Sequence, residues 1–172
     1  MKTLALFRHA KSDWSDPRLG DFDRPLAPRG IEAAPRMARA MKALGLAPDL
    51  VLCSEALRTR QTWDLAAPEL GAAPRLVVLR SLYLASPSGL LEAIREVGPE
   101  TGTLMLIGHN PGTEHLAAVL AGPGSDPKAL KRMGKKFPTA ALAVLTFEIA
   151  TWQHAAPGTG RLSHFLRPRD LD

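Results

Sequence analysis

The chain of 172 residues holds one cysteine, Cys53, so no disulfide can form within it. Aromatic residues make up 5% of the chain, too few for the base-stacking platforms of a nucleic-acid module. No apolar stretch approaches the roughly 20 residues that a membrane-spanning helix needs. The first apolar run meets Arg8-His9 almost at once, which is too short for a secretory signal. These absences set the expectation of a soluble, cytoplasmic protein without membrane or nucleic-acid partners. No phosphate-cradling glycine loop follows the first apolar run, and Gly158-Thr-Gly160 reads as a turn. His109, Glu114 and His115 do not match the spacing of helical zinc ligands. Neither a metal nor a cofactor is expected.

What is present is an ordinary core-forming composition, 45% hydrophobic and 23% charged. The net charge is +5, and Lys128, Lys131, Arg132, Lys135 and Lys136 supply all of the excess, so the rest of the chain balances. A nucleic-acid module spreads its cations over a broader face. The segment Lys128 to Lys136 reads first as a solvated basic loop. Its functional alternative is a docking patch for an acidic, phosphorylated protein.

Short runs that are apolar on both faces suit strands buried inside a parallel sheet. Thr3 to Phe7, Leu50 to Cys53 and Thr103 to Ile107 are such runs, and Leu76 to Leu79 is a weaker one. Helical spacing of apolar residues fills the intervals. One helix is expected over Ile31 to Leu44, with Pro35 near its start or at a kink. A second runs from Glu55 to about Leu70 with Ser54 as its cap, a third opens at Ser86-Pro87, and a fourth covers Gly112 to Leu120. Ala140 to Ile149 and Leu162 to Leu166 read as two further strands. The alternation of strand and helix predicts a single α/β domain over residues 1–172, built as three α/β/α layers around a mostly parallel sheet.

Ligands of open parallel sheets bind just beyond the carboxyl ends of the strands. The first run ends in Arg8-His9 and the third in Gly108-His109, while Arg58 follows the second by one helical turn. Two arginines and two histidines on one rim would repel one another without an anionic ligand, and this reading places no carboxylate nearby to cancel them. An anion site is therefore expected. Cys53-Ser-Glu-Ala-Leu-Arg58 has one residue too few and no glycine to form the phosphate loop of a cysteine-dependent phosphatase, so Cys53 reads as a buried core residue.

Leu6-Phe-Arg-His-Ala-Lys-Ser12 resembles the Arg-His signature of the histidine phosphatase (phosphoglycerate mutase-like) superfamily. Pro25 to Gly30, Ser54 to Thr62 and Ile107 to Gly112 follow in that family's order and spacing, and Phe137 to Ala143 is similar to a segment of its SixA-type phosphohistidine phosphatases. The resemblance implies a phosphoglycerate mutase-like fold with one antiparallel strand. It implies that His9 attacks phosphorus, that Arg8 and Arg58 hold the phosphoryl oxygens, and that His109 donates to the same group. Ser12, Ser15 and Asn110 are candidate substrate-binding residues. The expected substrate is a phosphohistidine protein or a small phosphate compound. Many relatives carry a glutamate that protonates the leaving oxygen, whereas Ser81 to Ser86 has no carboxylate here. That gap favours a P–N substrate, with Asp13 as the residue that would keep a phosphate ester in play. A catalytically weak phosphate-binding adaptor is the alternative of a different class, and the presence of both histidines argues against it.

Overall fold

The apolar runs form the central strands of a six-stranded sheet in a computed structural model that describes residues 1–71 and 73–172. The strands are β1 (Lys2–Arg8), β2 (Leu50–Ser54), β3 (Arg75–Leu79), β4 (Thr103–Gly108), β5 (Leu142–Phe147) and β6 (Gly160–Leu166). Their spatial order is β3-β2-β4-β1-β5-β6. β1 to β4 run parallel; β5 is antiparallel to both β1 and β6, and is thus the one strand of opposite sense.

Strand side chains alternate between faces, so each apolar run divides itself between two cores. Leu4, Leu6, Leu50, Leu52, Leu104 and Leu106 point to one side. There they pack under α3 (Pro87–Arg95), α4 (Gly112–Leu120) and α5 (Pro127–Lys135). Ala5, Phe7, Val51, Cys53, Met105 and Ile107 point to the other, under α1 (Pro28–Ala43) and α2 (Leu57–Leu70). β3 read weakly because it is an edge strand: Val77 and Leu79 pack on the first core, while Leu76 and Val78 face solvent.

Three local readings change. α1 starts at Pro28, where a proline costs no hydrogen bond, so Pro35 falls within the helix rather than near its start. Ser54 is not a helix cap: it pairs with Leu79 as the last residue of β2, and α2 begins only at Leu57. The basic segment is not a loop but α5, capped by the Asp126 carboxylate on the Ala129 amide and anchored by buried Ala129 and Met133. Lys128, Lys131, Lys135 and Lys136 lie on its exposed side, whereas Arg132 donates to the Phe165 carbonyl at 2.8 Å. No helix among the described residues is long and apolar enough to cross a membrane.

Candidate active site

β1, β2 and β4 are neighbours, so their carboxyl ends bring Arg8-His9, Ser54 and Gly108-His109 to one edge of the sheet. Arg58, the second residue of α2, drops between the two histidines. Its Nε approaches His9 Nε2 at 3.4 Å and its Nη2 approaches His109 Nδ1 at 3.2 Å. The imidazole centroids are 5.2 Å apart. His9, Arg58 and His109 are all buried.

Each ring is fixed from behind. His9 Nδ1 lies 2.7 Å from the Ala10 carbonyl, which can only accept, so Nδ1 carries the proton and Nε2 presents a lone pair. His109 Nδ1 faces a guanidinium that can only donate, so its proton sits on Nε2 and is given to Ser54 Oγ at 2.8 Å. Burial first, and then the charges of Arg58 and Arg8 among others, push the pKa of each histidine down to about 3. Both imidazoles are therefore neutral at neutral pH, the state a nucleophile requires.

The motifs owe their residue types to this support. Thr62 Oγ1 accepts from the Ala10 amide at 3.0 Å, and Thr59 Oγ1 donates to the Ser54 and Ala56 carbonyls at the start of α2. Gln61 Oε1 takes the Leu26 amide at 2.8 Å, tying the Pro25 to Gly30 segment to α2. Gly30 lies so close to the loop after β1 that a Cβ there would overlap the Lys11 carbonyl. A Cβ on Gly112 would likewise overlap the Ala85 carbonyl.

The expectation that no carboxylate lies nearby is corrected by Asp21. This residue reaches the rim from a 3-10 turn, Asp21–Asp23, between β1 and α1. Its Oδ2 meets Arg58 Nη2 at 3.0 Å, and its backbone carbonyl takes Arg58 Nη1 at 2.6 Å. Its Oδ1 takes both Nε and Nη2 of Arg24, and the Tyr83 hydroxyl donates to Oδ2. Burial alone would raise the carboxyl's pKa. The hydrogen bonds from Tyr83 and Arg24 and the charge of Arg58 outweigh it and hold the group well below the usual carboxylate range. Asp21 thus grips the outer edge of the Arg58 fork and leaves Nε and Nη2 aimed between the histidines. Asp13, Asp16, Asp21 and Asp23 crowd the linking segment, and nothing in their spacing singles out Asp21. The chain's one tyrosine, in the stretch that lacks the relatives' glutamate, was the available clue.

The other candidates are placed less directly. Arg8 Nη1 donates to the Phe137 carbonyl at 2.9 Å, and its buried Nε has no partner among the described residues. Asn110 shares that carbonyl through Nδ2 at 3.0 Å and also approaches Glu114, so its donors are engaged. Ser12 is buried and accepts from Arg24 Nη1 at 2.8 Å, one step behind the cluster. Ser15 is exposed and not brought against the cluster; its amide donates to Asp13 Oδ1. Cys53 is wholly buried under α2, and burial pushes its thiol up to about 12, which leaves no thiolate to attack.

Two neutral imidazoles thus flank a guanidinium fork at one rim of the sheet, with His9 Nε2 and His109 Nδ1 unprotonated and turned toward it. Comparisons with known proteins agree with this geometry. Residues 4–82 match the model of the histidine phosphatase superfamily, branch 1. An uncharacterised protein of Mycobacterium tuberculosis is 42% identical over 163 residues, covering 94% of this chain and 99% of that one. Two solved structures, each provisionally assigned as phosphohistidine phosphatase SixA, share the fold. The one from Nakamurella multipartitia superposes with a TM-score of 0.84 at 27% identity, over 97% of this chain and 96% of its own. The one from Agrobacterium tumefaciens gives 0.79 at 31% identity, over 97% and 98%. The chain belongs to the histidine phosphatase superfamily and is a phosphatase hydrolase.

Two predictions follow from the cluster. Asp21→Asn keeps the shape of the side chain but weakens its hold on Arg58. It should lower kcat/KM for an aryl phosphate by about 10- to 100-fold while the circular dichroism spectrum is unchanged; wild-type activity would remove Asp21 from the machinery. The second concerns pH. Both histidines take up protons in the unfolded chain near pH 6.5 but in the folded protein only near pH 3. Stability should therefore be constant above this window and fall as pH drops through it, because the unfolded state binds the extra protons. Ring resonances of His9 and His109 should not titrate between pH 8 and pH 5, and a midpoint near 6.5 for either would contradict the assignment.

Proposed function

We propose that the chain is a phosphohistidine phosphatase with His9 as the nucleophile. The observation that carries this reading is the fixed tautomer of His9. With Nδ1 held on Ala10, the Nε2 lone pair attacks phosphorus opposite the substrate imidazole. The P–N bond to the substrate breaks as the P–Nε2 bond forms. The departing imidazole, protonated on its other ring nitrogen, leaves neutral and needs no acid. His9 then carries phosphate on Nε2 and keeps its proton on Nδ1, so the Ala10 contact persists. Water attacks the same phosphorus in the second step as the P–Nε2 bond breaks; its protons leave with the phosphate, and His9 returns to its starting tautomer.

Arg58 presents Nε and Nη2 to the phosphoryl oxygens, and Arg8 supplies the second guanidinium beside them. Each such contact is worth on the order of a hundredfold in rate. His109 changes state on binding: an arriving dianion reverses the local potential, favours protonation at Nδ1, and turns the ring into a donor to the phosphoryl group. Ser54 holds that ring in place through Nε2.

The carboxylates support a P–N substrate rather than an ester. An alkoxide leaving group needs a proton, and Asp21 is held ionised by its partners. Asp13, the residue that would keep the ester reading alive, is held below the usual range by hydrogen bonds from the Ser15 amide and hydroxyl. The names of the SixA structures favour the same substrate class.

The test is turnover of a phosphohistidine-bearing protein beside that of phosphoserine and an alkyl phosphate. kcat/KM for phosphohistidine should exceed that for the alkyl esters by at least about a hundredfold, the value of one missing general acid. Comparable turnover of the alkyl esters would overturn the assignment.

A further inference from the structure

Next to the chain segments that carry the cluster lies a cavity of about 330 Å³ lined by none of the cluster's residues. Its walls come from four separate parts of the chain: the segment after β1, the first turns of α1, the connection from α5 to β5, and the residues after β6. Lys11, Arg29, Arg36, Arg167 and Arg169 line it, against only two carboxylates, Glu32 and Asp172. Two of these cations are already matched. Arg36 Nη2 pairs with Asp172 at 2.6 Å, and Arg167 donates through Nε and Nη2 to Asp170. The side chains of Lys11, Arg29 and Arg169 have neither an ion pair nor a hydrogen bond among the described residues, and all three are exposed. Three unmatched cations therefore share a concave surface with one unmatched carboxylate, Glu32. Such a surface focuses a positive potential.

The cavity and the active-site cluster are joined through the chain. Lys11 is two residues past His9, and Thr139 precedes Ala140, whose amide donates to the His9 carbonyl at 2.9 Å. Pro138 follows Phe137, whose carbonyl holds Arg8 and Asn110. Two residues of extended chain cover roughly 7 Å. The backbone that carries Lys11 into the cavity is thus close to the backbone that carries His9, so one substrate chain can extend from one to the other. A single phosphoryl group occupies only the cluster and leaves the cavity open to another group of the same molecule.

We propose that this cavity is a second anion subsite, which takes a carboxylate side chain of the phosphorylated protein close to its phosphohistidine. The proposal rests on the phosphohistidine reading above. It narrows the substrate to proteins with acidic residues near the phosphorylated position. Carboxylate is favoured over a second phosphate because the subsite keeps Glu32 among its lining residues, which disfavours a dianion more than a monoanion.

The test uses the full chain and two synthetic peptides bearing a stable phosphonate analogue of phosphohistidine. One peptide carries glutamate two and three positions to either side, and the other carries glutamine there. Each is measured as a competitive inhibitor of aryl phosphate hydrolysis, which requires turnover of neither peptide. In the wild type the acidic peptide should have an inhibition constant about three- to fivefold lower, the upper part of the range for one exposed ion pair. In the triple variant Lys11→Gln, Arg29→Gln, Arg169→Gln the two constants should converge, with kcat/KM for the aryl phosphate kept within about twofold. The substituted side chains are exposed, so the fold should tolerate them, and the parallel variant with alanine at all three positions guards against an effect peculiar to glutamine. Equal inhibition by the two peptides in the wild type, or a preference that survives both triple variants, would overturn the subsite. If the acidic peptide wins but authentic phosphohistidine is not hydrolysed, the subsite stands and the substrate assignment falls.

Discussion

On the reading proposed above, Arg58 is charged, buried and free to turn its fork toward a phosphoryl group, and a lone guanidinium in that position would be costly. Asp21 resolves the conflict. It matches the charge from the outer edge, through its carboxylate and its backbone carbonyl, and leaves the inner edge to the histidines. Arg24 and Tyr83 then fix Asp21, so residues 3, 37 and 62 positions away converge on one carboxylate. Without this arrangement the aim of Arg58 would have to be secured in some other way. The cluster is also pre-organised: its donors already point between the rings, so little reorganisation accompanies substrate binding.

Substrate choice follows from what surrounds that centre. In the proposed mechanism the site supplies charge stabilisation in abundance and protons to a leaving group sparingly, since its carboxylates are ionised, His9 is neutral, and the proton that His109 gains on binding serves the phosphoryl oxygens. That balance suits a leaving group that departs with its own proton. Two positive surfaces adjoin the cluster along the chain. One is the cavity beside Lys11. The other is the outer side of α5, whose last lysines lead directly into Phe137 and hence to Arg8. Trp14 stands exposed on a third side, stacked on Arg24 with the guanidinium carbon 3.3 Å from the ring centroid. A large acidic partner would meet positive potential on its approach, and the Debye length of about 10 Å at 0.1 M salt limits how far that attraction reaches.

Much of this was legible in the sequence, for identifiable reasons. Apolar runs buried on both faces mark β1, β2 and β4, and the rule that ligands bind beyond parallel strand ends places Arg8, His9, Arg58 and His109 together. The order of the motifs carried the fold. What escaped reading depended on long-range pairing. Ser54 looks like a helix cap because serine before a helical pattern usually is one, but strand pairing with β3 claims it. α5 looked like a loop because only Ala129 and Met133 mark its apolar face, and the surrounding lysines hid that spacing. Asp21 is one aspartate of four in an irregular segment, and its partners lie 3, 37 and 62 residues away. No local pattern encodes such a contact.

The central claim is a covalent phosphate on His9, and it can be tested directly by quenching the enzyme during turnover and locating the phosphate by mass spectrometry. The account predicts an acid-labile, alkali-stable phosphoryl group on the peptide containing His9. It should be absent in His9→Ala and present in Cys53→Ala. Phosphate on Cys53 or a hydroxyl side chain, or turnover by His9→Ala at the wild-type rate, would contradict it.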